Sequence, residues 1–144
     1  MVPDWIELLR CPYTGSSLQL LWPEFEGERI KHGLLVSSEG KRYLIRDFIP
    51  RFVPETTYAD NFGLQWNRFR RTQLDSYTGQ PISAERFYKA TGWRPEELKG
   101  CLVLDVGCGA GRFAEVALTA GAKVVAIDYS NAVDACYANL GHHP

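Results

Sequence analysis

The chain has 144 residues, which is room for one ordinary domain or two small ones. Its 45% hydrophobic and 12% aromatic content excludes an intrinsically disordered chain. Its formal net charge of −1 argues against a protein that coats nucleic acid or a membrane surface through bulk positive charge.

The sequence shows no targeting or membrane-spanning segment. No stretch approaches the roughly 18 consecutive apolar residues of a membrane span. The first ten residues lack the basic start and apolar run of a secretory signal. The four cysteines show no paired framework, which favours free thiols. We therefore expect a reduced, cytoplasmic protein with no membrane contact.

Three segments follow one another along the chain: a head (residues 1–54), a helical lead-in (55–98) and a glycine-punctuated α/β segment (99–144). In the head, residues 4–10 indicate a short helix and residues 12–15 a turn. Strands are predicted at 18–22, 33–36 and 41–45, and residues 49–54 are extended because two prolines disfavour helix. The expected core of the head is aromatic: Trp5, Tyr13, Trp22, Tyr43, Phe48 and Phe52.

The head resembles the small zinc-ribbon-like domain of the Trm112-like type. The resemblance covers residues 5–54 and is carried by "LLRCPYTGSSLQL" and "HGLLVSSEGKRYLIRDFIPRFVP". It fails at the metal, because Thr14 stands at the second ligand position and residues 36–40 replace the second knuckle. A structural zinc site needs four ligands, and the head supplies only the thiolate of Cys11. We predict no metal; a site completed by His32 is the alternative.

The lead-in carries the spacing of interrupted helices. Phe62, Trp66 and Phe69 recur at intervals of four and three, which places them on one helix face. A second helix is predicted to begin with Ser83 as its N-cap and to end at Gly92. Core packing explains the aromatic stripe, and a lid over a ligand site is the alternative.

The last segment has the order strand, glycine-rich turn, helix, strand, acid, helix. Residues 101–106 form a nearly continuous apolar run, typical of a strand buried on both faces. Glycines 107, 109 and 111 follow, then helix 112–120, and strand 123–128 ends in a carboxylate. Ser130 is the predicted N-cap of helix 131–140. This order predicts half of a doubly wound nucleotide-binding fold.

The glycine-rich turn and the acid that follows it predict a ligand site. Glycines allow a tight turn and let a ligand approach the backbone, and the N-terminus of the next helix presents free N–H groups. Asp128 can accept hydrogen bonds from a ribose diol.

The string D-x-G-x-G-x-G differs from the dinucleotide fingerprint, which would need Gly where Arg112 stands. A carboxylate at Asp105 would repel a pyrophosphate but suits a cation or an amino group. S-adenosyl-L-methionine offers a sulfonium, an amino group and a ribose without any phosphate, so the electrostatics favour it.

The segment "LVLDVGCGAGRFAEVALTAGAKVVAIDYS" resembles motif I and the acidic strand end of class I S-adenosylmethionine-dependent methyltransferases. The resemblance implies that Asp105, Gly107 and Gly109 form the methionine-side loop, that Asp128 binds the ribose and that Tyr129 lies near the adenine. The lead-in, with "FGLQWNRF" and "TQLDS", resembles one bacterial subgroup, which adds Gln65 and Trp66. The full predicted cofactor set is Asp105, Gly107, Cys108, Gly109, Gly111, Asp128, Tyr129, Ser130, Gln65 and Trp66.

The sequence therefore predicts an α/β chain: a partial Rossmann-like doubly wound sheet behind a small, mainly β, zinc-ribbon-like head that lacks its metal ligands. The expected function is methyl transfer to an acceptor that can be a small molecule, a saccharide or RNA, and no catalytic residue stands out. The alternatives are a non-catalytic, Trm112-like interaction module and an NAD(P)-dependent oxidoreductase fragment. With two strands of a larger sheet, we expect a fragment or a chain that associates with itself or a partner.

Overall fold

Residues 1–54 and 60–143 are described by a computed structural model, with backbone only for 60–62. The chain divides into two units, Met1–Glu55 and Thr56–Pro144. Within the described residues, no helix combines the length and the apolar composition needed to cross a membrane.

The first unit is an antiparallel sheet preceded by a 3-10 helix at Pro3–Leu8. Its strands are β1 (Leu18–Glu26), β2 (Arg29–Ser37), β3 (Arg42–Arg46) and β4 (Ile49–Pro50), and they lie in chain order. The hairpin of β1 and β2 is longer than the predicted strands. A register shift interrupts β1 between Leu21 and Glu24.

The core of the first unit is less aromatic than predicted. Its buried residues are Cys11, Leu18, Ile30, Leu35, Tyr43 and Ile45, and Phe52 packs against them. Tyr13 lies in the turn before β1 and is 75% exposed, so its predicted place in the core is wrong. Trp22 is 78% exposed because it sits at the irregularity of β1 with a φ of +46°.

The second unit is mixed α/β. Four helices precede the sheet: α1 (Asp60–Arg68), α2 (Asp75–Thr78), α3 (Ile82–Thr91) and α4 (Pro95–Leu98). Then come β5 (Leu102–Val106), α5 (Arg112–Thr119), β6 (Lys123–Ile127) and α6 (Ala132–Leu140). Strands β5 and β6 are paired in parallel, so the chain returns through α5 to the same end of the sheet.

Two predicted helix caps are corrected. Helix α3 begins at Ile82, and its first turn is capped by Asp75, whose oxygens accept the N–H groups of Ser83 and Ala84 at 2.9 and 2.8 Å. Ser83 therefore lies inside the helix. The N-cap position of α6 is Asn131, one residue later than predicted, but the Ser130 hydroxyl still accepts the N–H of Ala132 in the first turn at 3.2 Å.

The predicted aromatic stripe of the lead-in is only partly described. Helix α1 ends at Arg68, so Phe69 falls beyond it and is 51% exposed. The side chain of Phe62 lies outside the described residues. Trp66 is half-buried, and its neighbours belong to the candidate site.

Strand β5 is covered on one face only. Its apolar run is typical of a strand buried on both faces of a complete sheet, and with two strands of such a sheet an uncovered face is expected. On the covered face, the side chain of Val103 packs against Phe87 of α3 and Val116 of α5. The alternate side chains, Leu102 and Leu104, are 56% and 60% exposed, as expected for the opposite face of a pleated strand. Nothing in the described part of the second unit packs over that face.

Candidate cofactor site

The glycine-rich loop (residues 107–111) connects β5 to α5 at the carboxyl end of the sheet. Gly107 and Gly109 have φ values of +79° and +54°, which L-residues rarely adopt. A Cβ on Gly107 would meet no atom within 4 Å, so its Cα faces open space. A ligand can therefore reach the backbone at Gly107.

Asp128 directly follows β6 and holds this loop. Its Oδ2 accepts the N–H of Gly109 at 2.9 Å. Its Oδ1 accepts both the N–H and the hydroxyl of Ser130, at 2.8 and 2.7 Å. Ser130 in turn accepts the N–H of Ala132 at 3.2 Å. A carboxylate has about four acceptor sites, so the described residues fill three of them and leave one on Oδ2 open.

Asp105 lies inside β5, two residues before the loop. The backbone N–H of Ala114, in the first turn of α5, lies beside its carboxyl. The Oδ2 of Asp105 is buried and has no hydrogen-bond partner in the described part of the chain. Burial raises the pKa of Asp105, the charge of Asp128 raises it further, and the Ala114 N–H opposes both. This oxygen is an acceptor without a donor.

Trp66 of α1 lies over the loop. Its indole Cε2 is 3.6 Å from the point where a Cβ of Gly109 would stand. Helix α1 is itself held against the N-terminal end of α6, because the side-chain amide of Asn67 donates to the carbonyl of Asn131 at 2.9 Å. Of the two lead-in residues in the predicted set, Trp66 therefore reaches the loop. Gln65 is exposed, and no described contact joins it to the loop.

Three further residues of the predicted cofactor set, Cys108, Gly111 and Tyr129, lie in three different environments. Cys108 is 5% exposed, and its thiol donates to the carbonyl of Gly109 at 3.6 Å. The neighbouring thiol of Cys136 in α6 and burial both raise the pKa of Cys108, so its side chain belongs to the core. Gly111 packs against Leu140 of α6. Tyr129 is 49% exposed beside Asp128.

The sequence reasoning missed two side chains that contact the loop and its helix. Asn139 of α6 donates to the carbonyl of Ala110, inside the loop, at 2.9 Å. Glu115 of α5 is 8% exposed and accepts the N–H of Asp75 at 2.8 Å. A buried acid in an apolar helix was the available signal for Glu115, because such a group needs partners. Asn139 carried no such signal.

A cavity of about 220 Å³ lies along β5 between α3 and α5. Its walls are mostly apolar, with the rings of Phe87, Trp93 and Phe113 among them. It shares only Asp105 with the predicted cofactor set, so the cavity and the glycine-rich loop are separate features.

A hydrogen-bonded cluster lies at the turns where the sequence comparison with the Trm112-like pattern looked for metal ligands. Oε2 of Glu39 accepts the hydroxyls of Thr14 and Ser16 at 3.0 and 2.9 Å, and Oε1 accepts that of Ser38 at 2.8 Å. The cluster thus joins the two turns that carry the knuckles in the Trm112-like pattern. Cys11 is bonded to the hydroxyl of Tyr43 at 3.2 Å instead. Residues 1–54 and 60–143 contain no group of three or more potential metal ligands.

Residues 104–143 match the family model of a methyltransferase domain. The match runs from β5 to the end of α6 and so contains the loop, Asp105 and Asp128. It supports methyl transfer as the general activity, although it spans well under half of the chain. The search of curated proteins found no match. The Trm112-like resemblance of the head lies outside the matched residues and stays a prediction.

Proposed function

We propose that the second unit binds S-adenosyl-L-methionine and serves as the cofactor-binding half of a methyltransferase. The observation that carries the proposal is the buried, partnerless Oδ2 of Asp105 beside a glycine-rich loop that is open at Gly107. A buried carboxylate oxygen is costly unless a donor or cation pairs with it. The ammonium group of this cofactor is such a donor, and the family match over the same residues supports the assignment.

Asp105 and Asp128 also argue against a dinucleotide as the ligand. Asp105 and Asp128 lie at either side of the loop, and each contacts it or its helix directly. A pyrophosphate placed there would bring negative charge against both carboxylates, which would repel it. S-adenosyl-L-methionine brings no phosphate.

Asp105 and Asp128 would bind different parts of the cofactor. The cofactor supplies an activated methyl group on a sulfonium. Asp105 would accept a hydrogen bond from the ammonium, and Asp128 would accept a ribose hydroxyl at the open site on Oδ2. A second ribose bond to Asp128 requires the Ser130 hydroxyl to turn away from Oδ1, because that oxygen already has two donors.

The proposed reaction is an in-line displacement at the methyl carbon by a nucleophile of the acceptor. Its acceleration would come mainly from orienting the two reactants and excluding water. We assign no catalytic base, and the acceptor stays open among small molecules, saccharides and RNA.

Calorimetric titration of the chain with S-adenosylhomocysteine and with NAD tests the proposal. We expect S-adenosylhomocysteine to bind and NAD not to bind. Asp128→Asn and Asp105→Asn should each weaken the binding at least about tenfold, because a hydrogen bond to a charged group contributes about 1.5–3 kcal/mol. Glu85→Gln, which changes an exposed acid of α3, is the matched control and should bind as the wild type does.

Two results would overturn the proposal: tight binding of NAD with none of S-adenosylhomocysteine, or an Asp128 variant with wild-type affinity for S-adenosylhomocysteine. Failure of the wild-type chain to bind either ligand would also overturn it for the chain as it stands.

A further inference from the structure

Part of the lead-in, residues 70–83, is bound to the glycine-rich loop and to α5 by hydrogen bonds from side chains outside the predicted cofactor set. This segment includes the "TQLDS" string, which the cofactor site does not use. Two polar side chains, Asn139 and Glu115, make the connection, and each joins the lead-in to the cofactor half of the unit.

Asn139 bridges the loop and the lead-in. Its Nδ2 donates to the carbonyl of Ala110 at 2.9 Å and to the carbonyl of Arg70 at 2.8 Å. Both hydrogens of the amide are therefore in use, one on the loop and one on the lead-in. The neighbouring residue, Gly109, is held from the other side through its N–H by Asp128. Two side chains therefore fix the backbone of two successive loop residues. Asp128 holds the N–H of Gly109, and Asn139 holds the carbonyl of Ala110.

Glu115 makes the second connection, one turn into α5. Its two oxygens accept the N–H of Asp75, at 2.8 Å, and the hydroxyl of Ser76. Asp75 in turn caps the first turn of α3 through its side chain. Arg112, the first residue of α5, donates to the hydroxyl of Ser83 in α3 at 3.0 Å. The start of α5 is therefore tied to both α2 and α3.

We propose that Asn139 and Glu115 are positioning residues for the cofactor: neither contacts it, and both hold the loop and the start of α5 in the binding geometry through the lead-in. The inference rests on the proposed function, since the ligand it concerns is S-adenosyl-L-methionine. It gives residues 70–83 a role in affinity beyond that of a connection between two parts of the chain.

The mechanism is the orientation of the loop peptides. Without the Asn139 amide, the carbonyl of Ala110 loses its donor, and the peptide between Ala110 and Gly111 is free to turn. The position of the Gly107 backbone relative to Asp105 and Asp128 then varies, and a ligand that contacts all three binds only a fraction of the conformers. Loss of Glu115 removes its two hydrogen bonds to the lead-in and loosens the start of α5, which directly follows the loop.

Titration with S-adenosylhomocysteine at a temperature where every variant is folded tests the proposal. Asn139→Ala and Glu115→Ala should each weaken the binding about tenfold, the effect of roughly one to two lost hydrogen bonds. Glu115→Gln keeps one acceptor oxygen and should restore part of the affinity. Val116→Ala is the control: it removes buried volume from the same helix, on the side packed against Phe87 and Leu98, and should leave the affinity unchanged.

A second measurement needs no ligand. In Asn139→Ala, the backbone amide resonances of Gly109 and Gly111 should shift in the free protein, whereas Val116→Ala should leave them in place. Weaker binding together with these shifts supports the positioning role. Wild-type affinity in both alanine variants, despite lower stability, would show the contacts to be merely structural. If the wild type itself does not bind, the proposed function fails, and the amide shifts still decide whether Asn139 orders the loop.

Discussion

At the scale of single residues, Gly111 stands where the loop meets α6. A Cβ there would lie 2.6 Å from Cδ1 of Leu140 and 3.0 Å from Sγ of Cys136, and the backbone has a φ of +96°. Gly111→Ala therefore meets both a steric clash in a packed core and a left-handed backbone. We expect a loss of about 2–4 kcal/mol in the free energy of unfolding of the second unit.

Gly121→Ala is the control that separates the steric clash from the strain of the left-handed backbone. Its φ of +87° is similar, but a Cβ there would come no closer than 3.5 Å to Lys99. Gly121→Ala should cost about 1–2 kcal/mol, the backbone contribution alone. Denaturant unfolding of both variants checks the prediction, and equal losses would contradict the clash with Leu140.

Glu39 predicts a dependence of the stability of the first unit on pH. Hydrogen bonds from Ser38 and Ser16, with a smaller opposing effect of burial, lower the pKa of Glu39 from 4.5 to about 2. A carboxyl whose pKa is lower in the folded state stabilises the fold above its unfolded pKa, and this stabilisation is lost as the pH falls. We therefore expect the first unit to lose stability between pH 4.5 and pH 2.

The measurement is the thermal unfolding of the first unit, followed through the methyl resonances of Ile30 and Leu35. Glu39→Gln should melt lower than the wild type at pH 7 and should lack the Glu39 part of the pH dependence. Glu28→Gln, which changes an exposed acid in the β1–β2 turn, should keep it. An unchanged pH profile in Glu39→Gln would refute the role of this carboxylate.

Site residues could be predicted where the structure around them is formed by neighbouring residues in the sequence. The glycines and the acids 105 and 128 follow from spacing, because a strand, a tight turn and a helix impose it. Asn139 was not predictable, since its partners Arg70 and Ala110 are 69 and 29 positions away. The burial of the Cys108 side chain was not predictable either, because only the fold shows that Cys136 lies behind the loop.

At the scale of elements, α3 depends on a cap from outside its own sequence. The carboxylate of Asp75 accepts two N–H groups of the first turn. Asp75→Ala leaves both without this acceptor, and we expect it to cost about 1–2 kcal/mol, the usual effect of a lost N-cap. Amide hydrogen exchange at Ser83 and Ala84 should rise more than exchange elsewhere in the second unit.

Glu85→Ala is the control for this cap, because Glu85 is an acid in the first turn of the same helix but is exposed. It should change the stability by no more than about 0.5 kcal/mol. A loss in Glu85→Ala as large as in Asp75→Ala would assign the effect to helix-dipole electrostatics instead of the two hydrogen bonds.

Element types were easier to predict than their environments. The order of strands and helices from residue 101 onward follows from apolar runs and glycines, and the parallel pairing of β5 and β6 agrees with it. Which face of β5 is covered could not be predicted, because an apolar run shows what a strand can bury and not what covers it. The exposure of Trp22 could not be foreseen, since it depends on an irregular register with β2.

At the scale of the whole molecule, the open face of β5 predicts association. Leu102, Leu104 and Val106 are 56%, 60% and 70% exposed on one face of a strand. A contiguous apolar face of this kind favours contact with another chain. We expect the chain to form dimers or larger species as its concentration rises, and Leu102→Lys combined with Leu104→Lys to shift it toward the monomer.

Light scattering after size-exclusion chromatography measures this association. Leu64→Lys changes an apolar side chain of α1 that is 71% exposed but lies on a helix away from β5, so it should leave the association unchanged. A strictly monomeric wild type at high concentration would contradict the prediction. An equal effect of both changes would point to general surface hydrophobicity.

The loop between β5 and α5 has a thermodynamic consequence as well. The N–H of Gly109 and the carbonyl of Ala110 are both hydrogen-bonded in the ligand-free fold. The conformational entropy of these glycine-rich residues is therefore lost when the chain folds, before any ligand arrives. A ligand that binds an already ordered loop avoids that ordering cost. Binding at this loop should thus show a smaller entropic penalty in the wild type than in a chain whose loop is released.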